Sequence, residues 1–301
     1  MKKLTTIKIV LVALVFSACN FSKSINKDLV TGATSKGDGL QCNDITIQID
    51  GNKENRNTFT FGENVVFVFD GITGFKEENE KVYPEMSIIV VKKENQMVLS
   101  EPSLLNLVEG TSHSPLQLQA NLIASFPYQN DEEYEVQIAI WDTKGDGKFT
   151  YNMPFTVQEN KVLNIKSTNI TYKSIFIWNE NKNKMVFDNK MSAKEKYSLV
   201  LEGIDGLTVE NGKVFPALSV YLNDQKGNEI IASTNLYRDT TDGLDAIEFT
   251  KGQIPIILTF YDGQFFNPCK LSVILKDTKS MSELNISADL EIELFATDTN
   301  L

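Results

Sequence analysis

Short runs in which every second residue is apolar recur along most of the chain. Val65, Phe67 and Phe69 alternate with other residues, as do Tyr197, Leu199 and Leu201. Phe149, Tyr151, Met153, Phe155 and Val157 share one strand face; Leu284, Ile286, Ala288, Leu290, Ile292 and Leu294 share another. Side chains of a strand point to its two faces in turn, so a period of two marks antiparallel strands with one face on a core. Clusters of Gly, Asn and Asp break the runs and supply turns. No stretch of helical period stands out between residues 43 and 297. The pattern predicts strands near 44–50, 59–71, 85–92, 96–101, 115–125, 133–142 and 148–158. A second set is predicted near 172–179, 195–204, 217–223, 228–234, 245–260, 269–277 and 284–295. About seven such strands per unit match a β-sandwich.

The two sets are copies of one unit. "GITGFKEENEKVYPEMS" (71–87) aligns without a gap with "GIDGLTVENGKVFPALS" (203–219) at an offset of 132, and 9 of 17 positions are identical. About one identity is expected by chance. "SIIVVKKENQMVL" and "SVYLNDQKGNEII" then share a strand–turn–strand pattern, and "YEVQIAIWDTK" (134–144) aligns with "CKLSVILKDTK" (269–279) at an offset of 135. The shift falls in the variable middle, as a loop insertion does. Within the motif, Gly71, Gly74, Gly203 and Gly206 free the backbone to turn, and Glu78-Asn79 and Glu210-Asn211 are polar turn residues. Tyr83-Pro84 and Phe215-Pro216 open the next strand, because the residue before proline is held extended. A folding role accounts for these residues. The functional counterpart is a pair of equivalent loops presenting Asn79 and Lys81, and Asn211 and Lys213, to one repetitive glycan or protein partner.

The stretch "NDEEYEVQIAIWDTKGDG" resembles part of an immunoglobulin-like or fibronectin-like sandwich. An acidic turn leads into a strand that starts with tyrosine, and a hairpin follows. Tyr134 stands where such folds place a corner tyrosine, whereas Cys269 occupies the aligned place in the second copy. The Cys–Trp–Cys spacing of antibody domains is absent. The resemblance implies an all-β chain of two tandem antiparallel β-sandwiches.

The chain opens "MKKLTTIKIVLVALVFSAC": a basic start, an apolar run from Ile9 to Phe16, then small residues before Cys19. The run is shorter than the ~20 residues a membrane span requires and reads as a secretory signal. Its end resembles a bacterial lipoprotein signal, which implies cleavage before Cys19 and lipid on that residue. Phe16 stands where leucine is usual, and a soluble secreted form is the alternative. Residues 20–41, rich in Ser, Lys, Asn, Thr and Gly, read as a flexible tether. The expected organisation is a signal over 1–18, a lipidated tether over 19–42, and sandwiches over 43–160 and 161–301. Such a chain is similar to exported lipoproteins of Bacteroidota-type bacteria, a likeness of fold that carries no function.

Charge narrows the partners. The chain holds 29 basic and 40 acidic residues, a net −11, and loss of Lys2, Lys3 and Lys8 with the signal takes it to −14. An acidic surface repels phosphate backbones and anionic headgroups, so no nucleic-acid partner is expected and membrane attachment falls to the lipid.

The catalytic inventory is thin. His113 is the one histidine, and its neighbours Ser112 and Ser114 point to opposite sides of an extended segment from it. No nucleophile elbow, phosphate loop or dinucleotide fingerprint occurs. One histidine does not make a zinc site. "DTKGDGKFTYNM" begins like a calcium loop with Asp142, Asp146 and Gly147. Lys144 and Met153 occupy places that need oxygen donors, and a plain hairpin explains the same residues. Asp239, Asp242 and Asp245 form a second acidic stretch, read as a solvated loop. No cofactor is expected. Trp141 and Trp178 are out of step with the inward residues of their strands, so each is a candidate for glycan or protein contact, or for packing on the neighbouring domain. Cys42 and Cys269 read as two separate thiols, with a disulfide as the alternative. The leading expectation is a non-catalytic envelope module that binds or assembles with a protein. Glycan capture at the surface, and a hydrolase with paired carboxylates, are the alternatives.

Overall fold

The computed structural model describes residues 23–92, 96–129, 131–260 and 265–293. The segment expected to be a signal, and Cys19, lie outside the described residues. Two β-sandwiches follow one another, each pairing a larger sheet with a four-stranded one. In the first, the larger sheet runs in the order Lys23–Lys27, Thr34–Asp38, Lys148–Gln158, Glu133–Asp142, Pro84–Lys92 and Gln96–Glu101, with Thr58–Thr60 parallel to the end of Lys148–Gln158. Asn52–Glu54, Asp44–Ile49, Asn64–Ile72 and Leu116–Ile123 form the facing sheet. In the second, the order is Asn164–Thr168, Glu283–Glu293, Cys269–Asp277, Pro216–Asn223 and Glu229–Ser233, with Lys190–Ser192 parallel to Glu283–Glu293. Lys184–Met185, Ser174–Asn179, Tyr197–Glu202 and Gln253–Leu258 face it.

The alternation does what the pattern requires. In Glu133–Asp142 the residues Tyr134, Val136, Ile138 and Ile140 are buried while their neighbours reach the surface. Phe67 and Phe69 of one sheet meet Phe149 and Tyr151 of the other at ring separations of 5.7 to 6.3 Å. Each such side chain stabilises the fold by roughly 1.5–3 kcal/mol through burial. The hydroxyl of Tyr134 lies 2.9 Å from the Pro127 carbonyl, seven residues upstream, which is the corner tyrosine of this class of sandwich.

Three expectations are corrected. The tether expected over 19–42 gives way, from Lys23 onward, to a hairpin of Lys23–Lys27 and Thr34–Asp38 that extends the first sheet. Thr34–Asp38 pairs with Lys148–Gln158 as Asn164–Thr168 pairs with Glu283–Glu293. Gly39 and Asn169 both take positive φ, Leu40 and Ile170 are both buried, and Gln41 and Thr171 bridge to Thr73 and Asp205. The duplicated unit therefore begins at Thr34. Its inward positions there are Ser35 and Gly37, and a Cβ on Gly37 would fall 2.3 Å from the Leu40 carbonyl oxygen. The chain turns back on Gly37 three residues later, which leaves no room for a side chain there, so the strand carries no apolar alternation.

The run expected over 59–71 is two strands, divided at Gly62, whose φ is +87°; Thr58–Thr60 joins one sheet and Asn64–Ile72 the other. The run expected over 245–260 contains a helix, Ala246–Lys251, before the strand Gln253–Leu258. Six residues are too few to display a helical period. Asp245 caps the helix, its Oδ1 accepting the amides of Ile247 and Glu248 at 3.0 Å each.

Cys42 and Cys269 are free thiols. Cys42 is half-buried against the first core and Cys269 is fully buried in the second. Burial pushes each thiol up to about 11.

Candidate functional site

The repeated motif is a fastening built twice. Asp142 ends a strand almost fully buried, with Oδ2 accepting the Lys76 amide at 2.6 Å and Oδ1 the Lys144 amide at 2.9 Å. Asp277 does the same in the second copy. Its Oδ2 accepts the Thr208 amide at 2.8 Å and the Ser280 hydroxyl at 2.7 Å, and its Oδ1 accepts the Lys279 amide at 3.0 Å. The next residues, Thr143 and Thr278, each donate both amide and hydroxyl to the carbonyl of the aromatic before proline, Tyr83 or Phe215. The lysines that follow sit over those rings, Lys144 at 5.3 Å and Lys279 at 4.7 Å. Each Asp-Thr-Lys thus clamps one copy of the motif, and both stretches recur because they hold one another.

The turn residues have an equally local role. Asn79 and Glu80 have φ of 54° and 59°, and Asn211 and Gly212 have 52° and 75°. Two successive positive φ angles define the tight hairpin turn favoured by asparagine. Glu78 and Lys81 exchange both backbone bonds across one turn, Glu210 and Lys213 across the other. The Lys81 ammonium donates to the Glu109 carbonyl at 3.0 Å. Asn79, Asn211 and Lys213 are exposed, Lys81 less so. Turn geometry therefore accounts for all four of these candidate contact residues.

The calcium reading rests on Asp142 and Asp146. Both oxygens of Asp142 accept backbone amides, which is the work of a hairpin clamp. Asp146 is exposed. Among the described residues, no group of three or more His, Cys, Asp or Glu side chains is placed to hold a metal. His113, Ser112 and Ser114 lie on an exposed loop.

The tryptophans part company. Trp178 packs against the core of the first sandwich, together with Phe176 and Phe187. Met185 is counted in that same core, and the Phe61 and Phe176 rings are 6.1 Å apart. The Gln129 amide spans the same junction, donating to the Tyr172 and Lys173 carbonyls at 2.7 and 3.0 Å. Met185, Phe176 and Phe187 carry no sequence signal for this role, because a residue facing the other domain looks like one facing solvent. Trp141 instead lies half-exposed on the outer face of the first larger sheet. Glu85 is its partner on one side and Lys148 on the other. The Glu85 carboxylate is held by the amides of Met86 and Leu105 and the hydroxyl of Ser103, which keep it below the usual carboxylate range against the effect of its burial. Ala139, Ile89 and Val91 lie on the same face, and Met97, 56% exposed, stands across from Val91.

These features define the chain as an all-β protein of two β-sandwiches. No protein family model and no curated protein matches it. Among solved structures, a crystal structure of the C-terminal domain of wzt is similar over 40% of this chain and 74% of its own, with a TM-score of 0.29 and 13% identity. A structure of pT26-6p is similar over 91% of this chain and 66% of its own, with a TM-score of 0.23 and 8% identity.

Proposed function

We propose that the protein is a non-catalytic, lipid-anchored binding module of the cell envelope, held in the outer membrane through Cys19, that engages a protein partner with the outer face of its first sandwich. Trp141 is the observation that carries the reading. It is a large aromatic presented between an acid locked in its own hydrogen bonds and a lysine, with Ala139, Ile89, Val91 and Met97 on the same face. An aromatic anchor inside a polar rim is the usual composition of a protein-binding hot spot. The remaining acidic surface favours a basic patch on the partner.

A photo-crosslinking residue in place of Ala139 tests the reading in intact cells. The expected result is one recurrent envelope protein, lost when Trp141 is replaced by alanine; repeated failure to recover any common protein would overturn it. Anchoring is tested separately. Fatty-acid label should enter the wild-type chain and be absent from Cys19→Ala, and a wild-type chain without label would make the protein a soluble secreted one.

A further inference from the structure

Beside the junction, the outer face of the second sandwich carries a groove of about 690 Å³. Its floor is a row of cross-strand partners, Ser272, Ser287 and Asn164, which Tyr221 continues across the sheet. The adjoining row sets Lys270 opposite Asp289. Phe187 and Asn189 also line the groove, and Phe187 rests on the core of the first sandwich. Every residue that lines the groove belongs to the second sandwich or to the segment that leads into it.

The hydrogen-bonding state of this face is uneven. Towards one end Glu283 is bound by Asn285 and by Lys276, so that part of the sheet satisfies itself. In the groove, among the described residues, no hydrogen bond or ion pair occupies the side chains of Asn164, Asn189, Ser272, Ser287 or Asp289. Five polar side chains with free hydrogen-bonding capacity line one hollow.

We propose that this groove binds an oligosaccharide of neutral sugars. Each sugar hydroxyl both donates and accepts, and amides, hydroxyls and a carboxylate side by side offer both. The C–H face of a sugar ring is apolar and suits an aromatic ring, here Phe187. Lys161 and Lys270 are met by Asp289, so the groove carries one net positive charge, short of the cluster of cations that polyanion binding requires. Its volume lies within the roughly 300–1,000 Å³ of small-ligand sites, and its open form admits a chain passing through. The site uses neither tryptophan and does not depend on the protein-partner reading.

The test is calorimetric titration of the full chain with short β-glucan, mannan and xylan oligosaccharides, and with oligogalacturonate as the charged comparison. One neutral sugar should bind. Asn164→Ala should weaken it by about ten-fold, the effect of one lost hydrogen bond. Ser287→Arg, which fills the floor, should abolish binding, and the exposed Asn164 position keeps the test intact if that variant folds poorly. Heat with none of the neutral sugars overturns the proposal. So does binding that survives both variants, binding lost only in Trp141→Ala, or binding confined to oligogalacturonate and removed by salt. Crosslinking at Ala139 in the same variants reads the partner surface independently, so the two sites can fail separately.

Discussion

The carboxylate of Asp277 holds the backbone amide of Thr208 at 2.8 Å, across 69 residues of chain. The equivalent pair in the first sandwich, Asp142 and Lys76, stands at 2.6 Å. Each contact ties the glycine-rich start of the repeated motif to the end of a distant strand. Removing the acceptor leaves partly buried amides without their partner, so Asp277→Ala should lower stability by about 2 kcal/mol and Asp277→Asn by less. Urea unfolding measures both. A loss within about 0.5 kcal/mol, the usual range of a surface change, would show that the loop is held some other way.

The same carboxylate sets an acid limit. Burial acts to raise the pKa of Asp277, but the hydrogen bonds from Ser280, Thr208 and Lys279 outweigh it and hold the group below its ordinary value. A lowered folded pKa means stability that is complete above the unfolded value, near ~4, and is lost as pH falls through the folded one. Glu195, held down chiefly by Lys182 and also by Asn179 and Tyr197, acts in the same direction. Stability should stay level down to about pH 5 and then decline. Asp277→Asn should show a shallower decline; parallel curves for the two proteins would remove Asp277 as a cause.

Gly243 and Gly212 separate steric crowding from backbone strain. Both have φ in the left-handed region, +72° and +75°. A Cβ on Gly243 would lie 2.8 Å from the Phe215 ring and 3.0 Å from the Val214 carbonyl oxygen, whereas one on Gly212 meets nothing within 4 Å. Gly212→Ala should cost about 1 kcal/mol from strain alone, and Gly243→Ala clearly more. Equal losses in thermal unfolding would mean that the Phe215 ring moves aside freely.

The two thiols give a chemical readout. With pKa values pushed up to about 11 by burial, Cys42 and Cys269 should react slowly with iodoacetamide at pH 8, and Cys269 only after unfolding. A reductant should leave the melting temperature unchanged. A peptide pair linking Cys42 to Cys269 in mass spectrometry of the non-reduced protein would contradict this.

Much of this was legible in the residue order. Tyr134, Val136, Ile138 and Ile140 announce a strand and its inner face, and the structure buries all four. The duplication is plain from the paired motifs. Thr34–Asp38 was illegible because serine and glycine fill its inward positions, and the helix at Ala246–Lys251 because it is shorter than two turns. The candidate contacts divide in the same way. Asn79 and Asn211 recur for a turn geometry that local sequence can explain. The positions of Trp141 and Trp178 could not be told apart, since both break step with an inward-facing run in the same way.

Residue order alone sets which side of most strands turns inward, because a period of two leaves one consistent choice for burying apolar surface. It also determined that one sandwich is copied, because local turn chemistry and apolar spacing are written residue by residue. What meets an outward face follows from the folded arrangement. It set Trp178 and Phe187 against the first core, left Trp141 at the surface, and closed a polar row of the second sheet into a groove. Those outcomes depend on contacts between residues far apart in the chain, and alternation along a strand carries no information about what lies across from it.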